Sequence, residues 1–195
     1  VKVTCEELPG VFSPSDACRE DAILVHGKTS DSNLLVREHL VRGDADAALA
    51  GSKYVVTNHY SVPFTEHAFL EPECCVAVTD KEKKQVTIYS SDQGTYDTQR
   101  EVAPILDMDP SQVHVINKLV GGGFGGKEDV VLQHHAALLS WYTGKPVKIH
   151  FTREESMLVH PKRHAVEMDF STGCDENGIL TGMKATIVTD TGAYA

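Results

Sequence analysis

The stretch Gly121-Gly122-Gly123-Phe124-Gly125-Gly126-Lys127-Glu128 decides how the rest of this chain is read. Before it, Gln112 to Leu119 alternates in a way that predicts a strand. After it, the apolar spacing from Lys127 to Tyr142 predicts an amphipathic helix, closed by Thr143-Gly144 with Pro146 beyond. A glycine run between a strand and a helix puts several backbone N–H groups at a helix N-terminus, where they can converge on one anionic or oxygen-rich ligand. Glycines let the chain come close to such a ligand.

Three sites share this spacing. Gly121 and Gly126-Lys127 fit the opening of a phosphate-binding P-loop, but that loop needs a Ser or Thr after the lysine to hold Mg²⁺. Glu128 would instead bring negative charge beside phosphates. Gly121, Gly123 and Gly126 also satisfy the dinucleotide pattern GxGxxG. The acidic ribose-binding residue should then follow about twenty residues on, where the chain has Thr152-Arg153 before Glu154. A nucleotide-binding module for ATP, NAD or NADP, or a non-catalytic interaction module, built on residues 121–126 is therefore the competing class.

Working outward, the hydrophobic fraction of 41% and charged fraction of 24% are those of an ordinary globular chain. With 28 acidic and 18 basic residues, the formal charge of -10 disfavours nucleic acid as a partner. Lys81, Lys83 and Lys84 are interleaved with Asp80 and Glu82, which reads as a solvated turn. No apolar run is long enough to span a bilayer and no signal-peptide pattern opens the chain, so the expectation is a cytoplasmic protein without a membrane partner. Cys5, Cys18, Cys74, Cys75 and Cys174 are too scattered for a disulfide framework or an iron-sulfur cluster, and adjacent Cys74-Cys75 suits a strand with one thiol on each face. The chain opens at Val1 without Met and stops at Ala195, just after the strand-like run Lys184 to Asp190, so a piece of a longer polypeptide is expected.

The first thirty residues are rich in breakers and read as loop. Leu34 to Val41 is strand-like, Asp44 to Ala50 a short helix opened by an aspartate, and Lys53 to Val62 extended. Cys74 to Thr79 and Gln85 to Ser90 form a hairpin, and a helix runs from about Tyr96 to Leu106 with Val102, Ile105 and Leu106 on one face. Pro146 to Phe151 is a strand, Thr152 to Ser156 a polar turn, and Ala165 to Thr172 pairs with Ile179 to Asp190 around Asp175-Glu176-Asn177-Gly178. Hairpins mixed with strand-helix-strand units predict an α+β or mixed α/β fold, and α+β, with mixed sheets and packed helices, is the expectation. His134 and His135 are expected mid-helix and unable to face one ligand. Pro161 keeps His160 and His164 from sharing a helical face, so no metal site is expected there.

The run from Gly121 to Glu128 resembles the molybdopterin loop of the xanthine dehydrogenase and aldehyde oxidase family of molybdenum hydroxylases. Further matches follow in order: Glu66-His67-Ala68-Phe69-Leu70-Glu71-Pro72-Glu73, Ser91-Asp92-Gln93-Gly94-Thr95, Thr152-Arg153-Glu154-Glu155, and Asp190-Thr191-Gly192-Ala193-Tyr194. Gln93 to Asp97 and His160 to His164 resemble the bacterial, selenium-dependent branch.

The resemblance implies a molybdenum-molybdopterin cofactor, held by the backbone at Gly122, Gly123, Phe124 and Gly125 and by the side-chain amide of Gln93, which would bond an oxygen ligand of the metal. No residue here would coordinate molybdenum directly. It further implies that Phe124 packs on the substrate side. Glu128 would be a second catalytic carboxylate that binds substrate, contacting a purine-like heterocycle by accepting N–H bonds or sharing a proton. Glu71-Pro72 would be a structural turn beside the cofactor. The implied reaction hydroxylates a carbon beside nitrogen with oxygen from water. Electrons would leave through iron-sulfur clusters and FAD on partner subunits or domains. Residues 1–30 would be the tail of a preceding domain or a linker, and residues 31–195 the N-terminal portion of the first molybdopterin-binding domain. The family's catalytic glutamate and a substrate arginine would lie on the rest of the molybdenum subunit, which makes this piece inactive alone.

Overall fold

The computed structural model describes residues 2–192 and divides the chain into two compact units, Val1–Phe64 with His164–Ala195, and Thr65–Arg163. Ala193 and Tyr194 of the last matched segment lie outside the described residues. In chain order the elements are α1 (Pro14–Ala17), a 3-10 turn (Gly27–Thr29), α2 (Ala45–Ala50), β1 (Tyr54–Val62), β2 (Cys74–Asp80), β3 (Gln85–Ser90), α3 (Thr95–Ile105), a 3-10 turn (Pro110–Gln112), β4 (Val113–Asn117), α4 (Gln133–Thr143), β5 (Val147–His150), α5 (Arg153–Val159), β6 (Val166–Cys174) and β7 (Leu180–Thr189). Helices packed on two sheets give the α+β class.

In the unit formed by the two ends of the sequence, β1, β6 and β7 make an antiparallel sheet in that order, with the hairpin turn held by Asp175 accepting from the Asn177 and Ile179 amides. Asp44 caps α2 by accepting from the Ala47 amide at 2.9 Å, as an N-terminal aspartate should. Paired Gly173 and Gly182 leave room for this helix: a Cβ on Gly173 would stand 2.2 Å from Ser52 Oγ, and one on Gly182 would stand 2.8 Å from Ala48 Cβ. The first thirty residues belong to this unit.

In the Thr65–Arg163 unit the sheet order is β4-β3-β2-β5, with β3 parallel to β4 and the other pairs antiparallel. Side chains alternate across a strand, so Cys75 and Ala77 on β2 and Val86 and Ile88 on β3 turn to one face. There they meet Val102 and Ala103 of α3, Leu106 just beyond its end, and Ala136 and Ala137 of α4. Small residues on α4 let it lie close to the sheet, and Ser140 Oγ closes its end on the Lys145 carbonyl at 2.9 Å. Burying a side chain such as Ile88 contributes about 1.5–3 kcal/mol. Two layers around one core carry the site at the ends of β3 and β4. All five cysteines are free, and among the described residues no helix is long and apolar enough to cross a membrane.

Four expectations need correction. Leu34 to Val41 forms no strand; Leu34, Leu35, Val36, Leu40 and Val41 are exposed, and no neighbouring strand supplies the pairing that its composition would need. Ile105 is half exposed, and Ala103 takes its place against the core. The helix expected from Lys127 starts at Gln133, because Gln133 Oε1 accepts from the Val131 and Leu132 amides and Lys127 is drawn back into the loop. His134 and His135 therefore sit in its first turn. Thr152 to Ser156 opens α5: Thr152 accepts from the Glu155 amide while Glu155 accepts from the Thr152 amide, a capping box legible as T-x-x-E.

Candidate functional site

At the end of β3 the chain turns through Ser91 and Asp92 to Gln93, and at the end of β4 it turns through Lys118 to the glycine run. The Lys118 amide donates to the Ser90 carbonyl at 2.8 Å, keeping the two exits side by side. Asp92 is buried, and burial pushes its carboxyl above the ordinary range although Thr98 Oγ1 donates to it.

One carboxylate oxygen anchors the loop. Glu71 Oε2 accepts from Ser91 Oγ at 2.6 Å, from the Gly121 amide at 2.7 Å and from Lys127 Nζ at 2.9 Å, while the Glu71 amide donates to the Gly121 carbonyl. Burial alone would raise the Glu71 pKa. The bonds from Ser91, Gly121 and Lys127, together with the ammonium charge, outweigh it and hold the carboxyl at about 2. Lys127 is buried, with its ammonium 4.6 Å over the Phe69 ring. Glu71 is thus a structural clamp. A lysine so engaged does not reach for a phosphate, which disfavours the P-loop reading on geometry.

Gln93 locks the other side. Its backbone N–H donates to the Lys127 carbonyl at 2.8 Å, and its side-chain Oε1 accepts from the Gly125 amide at 3.1 Å and the Lys127 amide at 3.3 Å. Two donors on the oxygen fix which way the amide faces, leaving Nε2 as the donor on the opposite edge. The contact is close: a Cβ on Gly123 would stand 2.2 Å from Gln93 Oε1. Gly122 and Gly125 adopt φ of +96° and +92°, which side chains rarely tolerate, and Phe124 between them is held at +55° with its ring exposed. A left-handed non-glycine residue costs roughly 1–2 kcal/mol, offset here by the turn Gly126 N–H to Gly123 carbonyl at 2.8 Å.

The expected residues Gln93, Gly122, Gly123, Phe124 and Gly125 therefore come together in one cradle. Its amides come from a turn and not from a helix N-terminus, since α4 begins at Gln133. Glu128 follows directly; its side chain is exposed, and among the described residues no hydrogen bond or ion pair engages it. Lying five residues before α4, Glu128 is too far out to serve as a first-turn charge for that helix.

Sequence reasoning missed the layer behind the loop. Arg153 Nη2 donates to the Phe69 and Leu70 carbonyls at 2.7 Å each, and the His67 and Phe69 rings back Gly126, whose Cβ would stand 2.9 Å from both. His160, set aside because Pro161 separates it from His164, is 2% exposed and lies beside Glu66, His67 and Glu73. The repeated acidic and histidine residues of Glu66-His67 and Glu71-Pro72-Glu73 were the available signal.

Comparison with known proteins follows the same direction. Residues 25–195 match the molybdopterin cofactor-binding domain family. The chain is 40% identical over 195 residues to the nicotinate dehydrogenase large molybdopterin subunit of Eubacterium barkeri, covering 100% of this chain and 45% of that protein. It is 35% identical over 195 residues to a probable xanthine dehydrogenase subunit of Bacillus subtilis, covering 100% of this chain and 26% of that protein. The solved aldehyde oxidoreductase from Desulfovibrio gigas superposes with a TM-score of 0.85 at 26% identity, covering 95% of this chain and 20% of that one. The chain thus spans less than half the length of these curated relatives.

Proposed function

We propose, from the premise that this chain belongs to the molybdopterin cofactor-binding domain family of the molybdenum hydroxylases, that its loop and Gln93 form one wall of the molybdenum-molybdopterin pocket of an enzyme acting on purine-like N-heterocycles. The observation that carries this is the Gln93 amide, whose oxygen is held by the Gly125 and Lys127 amides so that its N–H edge is presented outward. The cradle fits the cofactor: Gly122, Gly123 and Gly125 give close backbone approach, and a Cβ at Gly123 would fill the space Gln93 needs. When bound, molybdenum-molybdopterin supplies hydroxylation of a ring carbon with oxygen from water and takes up the two electrons.

The chain's own residues orient the reactants. Gln93 Nε2 donates toward the metal end of the cofactor without titrating, which suits a centre that changes oxidation state. The Phe124 ring, already exposed beside the loop, flanks the substrate. The Glu128 carboxylate accepts an N–H of the heterocycle or shares its proton, which selects rings that carry such a group. Residues 31–195 are the N-terminal portion of the domain and residues 1–30 a linker or the tail of a preceding one. The remainder of the molybdenum subunit and iron-sulfur and FAD-bearing partners complete a cytoplasmic enzyme. These 195 residues alone hold the cofactor weakly or not at all and turn nothing over. Elemental analysis of the purified chain would show far less than stoichiometric molybdenum, and a full complement would overturn that statement.

The substrate reading is tested by Glu128→Gln in the complete molybdenum subunit with its partners, assayed on xanthine, hypoxanthine, nicotinate and a simple aldehyde. Losing a charged hydrogen bond of about 1.5–3 kcal/mol should lower kcat/KM for purines roughly 10- to 150-fold while sparing the aldehyde. Turnover of nicotinate without purines would replace the substrate class, and equal loss on all four would remove Glu128 from recognition.

A further inference from the structure

Behind the glycine run, within the Thr65–Arg163 unit, lies a second group of side chains that the proposed cradle does not include. His160 closes α5, and its Nδ1 lies against the Ser156 carbonyl one turn back. A carbonyl only accepts, so Nδ1 carries the proton and donates it, and in the neutral ring the lone pair is on Nε2. That Nε2 is buried and sits 2.7 Å from Glu66 Oε1, yet it makes no aligned hydrogen bond. Glu66 Oε1 also accepts from the Ala68 amide at 3.0 Å, and a proton or a metal cation between it and Nε2 would resolve the two facing lone pairs.

The surroundings define what that could be. Lys162 Nζ holds the other Glu66 oxygen at 2.9 Å and donates to the His160 carbonyl at 2.7 Å, which fixes the carboxylate with Oε1 turned inward. Glu73 is 5% exposed, its two oxygens lack hydrogen bonds among the described residues, and Oε1 is 3.2 Å from His160 Nδ1. His67 Nδ1 is likewise buried without a hydrogen bond among the described residues.

We propose that Glu66, His67 and His160 form a binding site for one divalent cation of the zinc class, separate from the molybdopterin pocket. One ligand atom from each of the three lies within 4.8 Å of the others. Ligands of a tetrahedral zinc stand about 3.4 Å apart, so small side-chain adjustments close the site. Two imidazole nitrogens and one carboxylate oxygen match zinc preferences and leave a fourth position for water. The His160 Nδ1–H donated to a carbonyl is the outer partner that fixes a ligating tautomer. The ion would brace the glycine run from behind, because the His67 ring lies against Gly126.

The experiment uses the 195-residue chain free of molybdenum cofactor, so it does not depend on the function proposed above. Chelator-stripped protein is dialysed against Zn²⁺ or Co²⁺, washed, and analysed for metal content, melting temperature and the visible absorption of Co²⁺. Wild type should retain about one equivalent and melt higher, with a Co²⁺ spectrum of tetrahedral type. His67→Gln should bind about 100-fold more weakly or worse with an unchanged circular dichroism spectrum. His59→Gln, a histidine flanked by Glu167 and Asp169 on the other unit, should retain metal like wild type. Because His160→Gln alters a buried position, His67→Gln carries the decision. Retention no greater in wild type than in His67→Gln overturns the proposal. So does an NMR finding that His160 is a doubly protonated imidazolium even in saturating Zn²⁺, which would make the cluster a buried ion pair.

Discussion

At the scale of single residues, the site turns on groups whose partners leave them one remaining direction in which to act. Gln93 commits its oxygen to two loop amides and keeps its N–H edge, and Glu71 gives one oxygen to three donors so that the loop keeps its position. The Glu71 clamp has a pH signature. Its pKa falls from 4.5 to about 2 in the folded chain, so its stabilisation is fully present above pH 4.5 and is lost as pH drops through 2. Urea unfolding across that window should show stability falling with acid more steeply in wild type than in Glu71→Gln. The difference should stay below the roughly 1.4 kcal/mol per pH unit of one proton, because over a third of the side chain meets water. Identical slopes would show that the carboxylate is not clamped.

At the scale of elements, period and punctuation were legible where a segment packs by its own pattern. The β2–β3 hairpin, the β6–β7 pair, Asp44 before α2 and Gly144 after α4 all follow from alternation, caps and turn residues. The failures are where partners distant in sequence decide. Lys127 through Leu132 has the composition to start a helix, yet Glu71, 56 residues earlier, captures the Lys127 ammonium, and Gln93 binds the Lys127 peptide on both sides. Leu34 to Val41 has strand composition and lacks a strand to pair with. The five glycines and Gln93 were legible as a cradle through their resemblance to a known loop. The cluster of Glu66, His67, Glu73 and His160 was not, because β2 through β5 separates its members in sequence and only the fold closes it.

At the scale of the whole molecule, each unit has its own sheet, and the site is carried by the one whose core spans β2, β3, α3 and α4. Loop exits at the ends of neighbouring strands are a common place for ligands, since a rigid layer positions flexible backbone. Membership of the molybdopterin cofactor-binding family, with 45% or less of each curated relative's length represented, sets the setting in which this wall of the pocket would work. The central claim is that Gln93 and the run from Gly122 to Gly125 face the molybdenum cofactor. The measurement that tests it most directly is a crystal structure of the cofactor-loaded molybdenum subunit containing these residues. The account predicts a polar atom at the metal end of the cofactor within about 3 Å of Gln93 Nε2, with loop amides against it. A cofactor bound elsewhere, with Gln93 Nε2 turned to solvent or to protein, would contradict it.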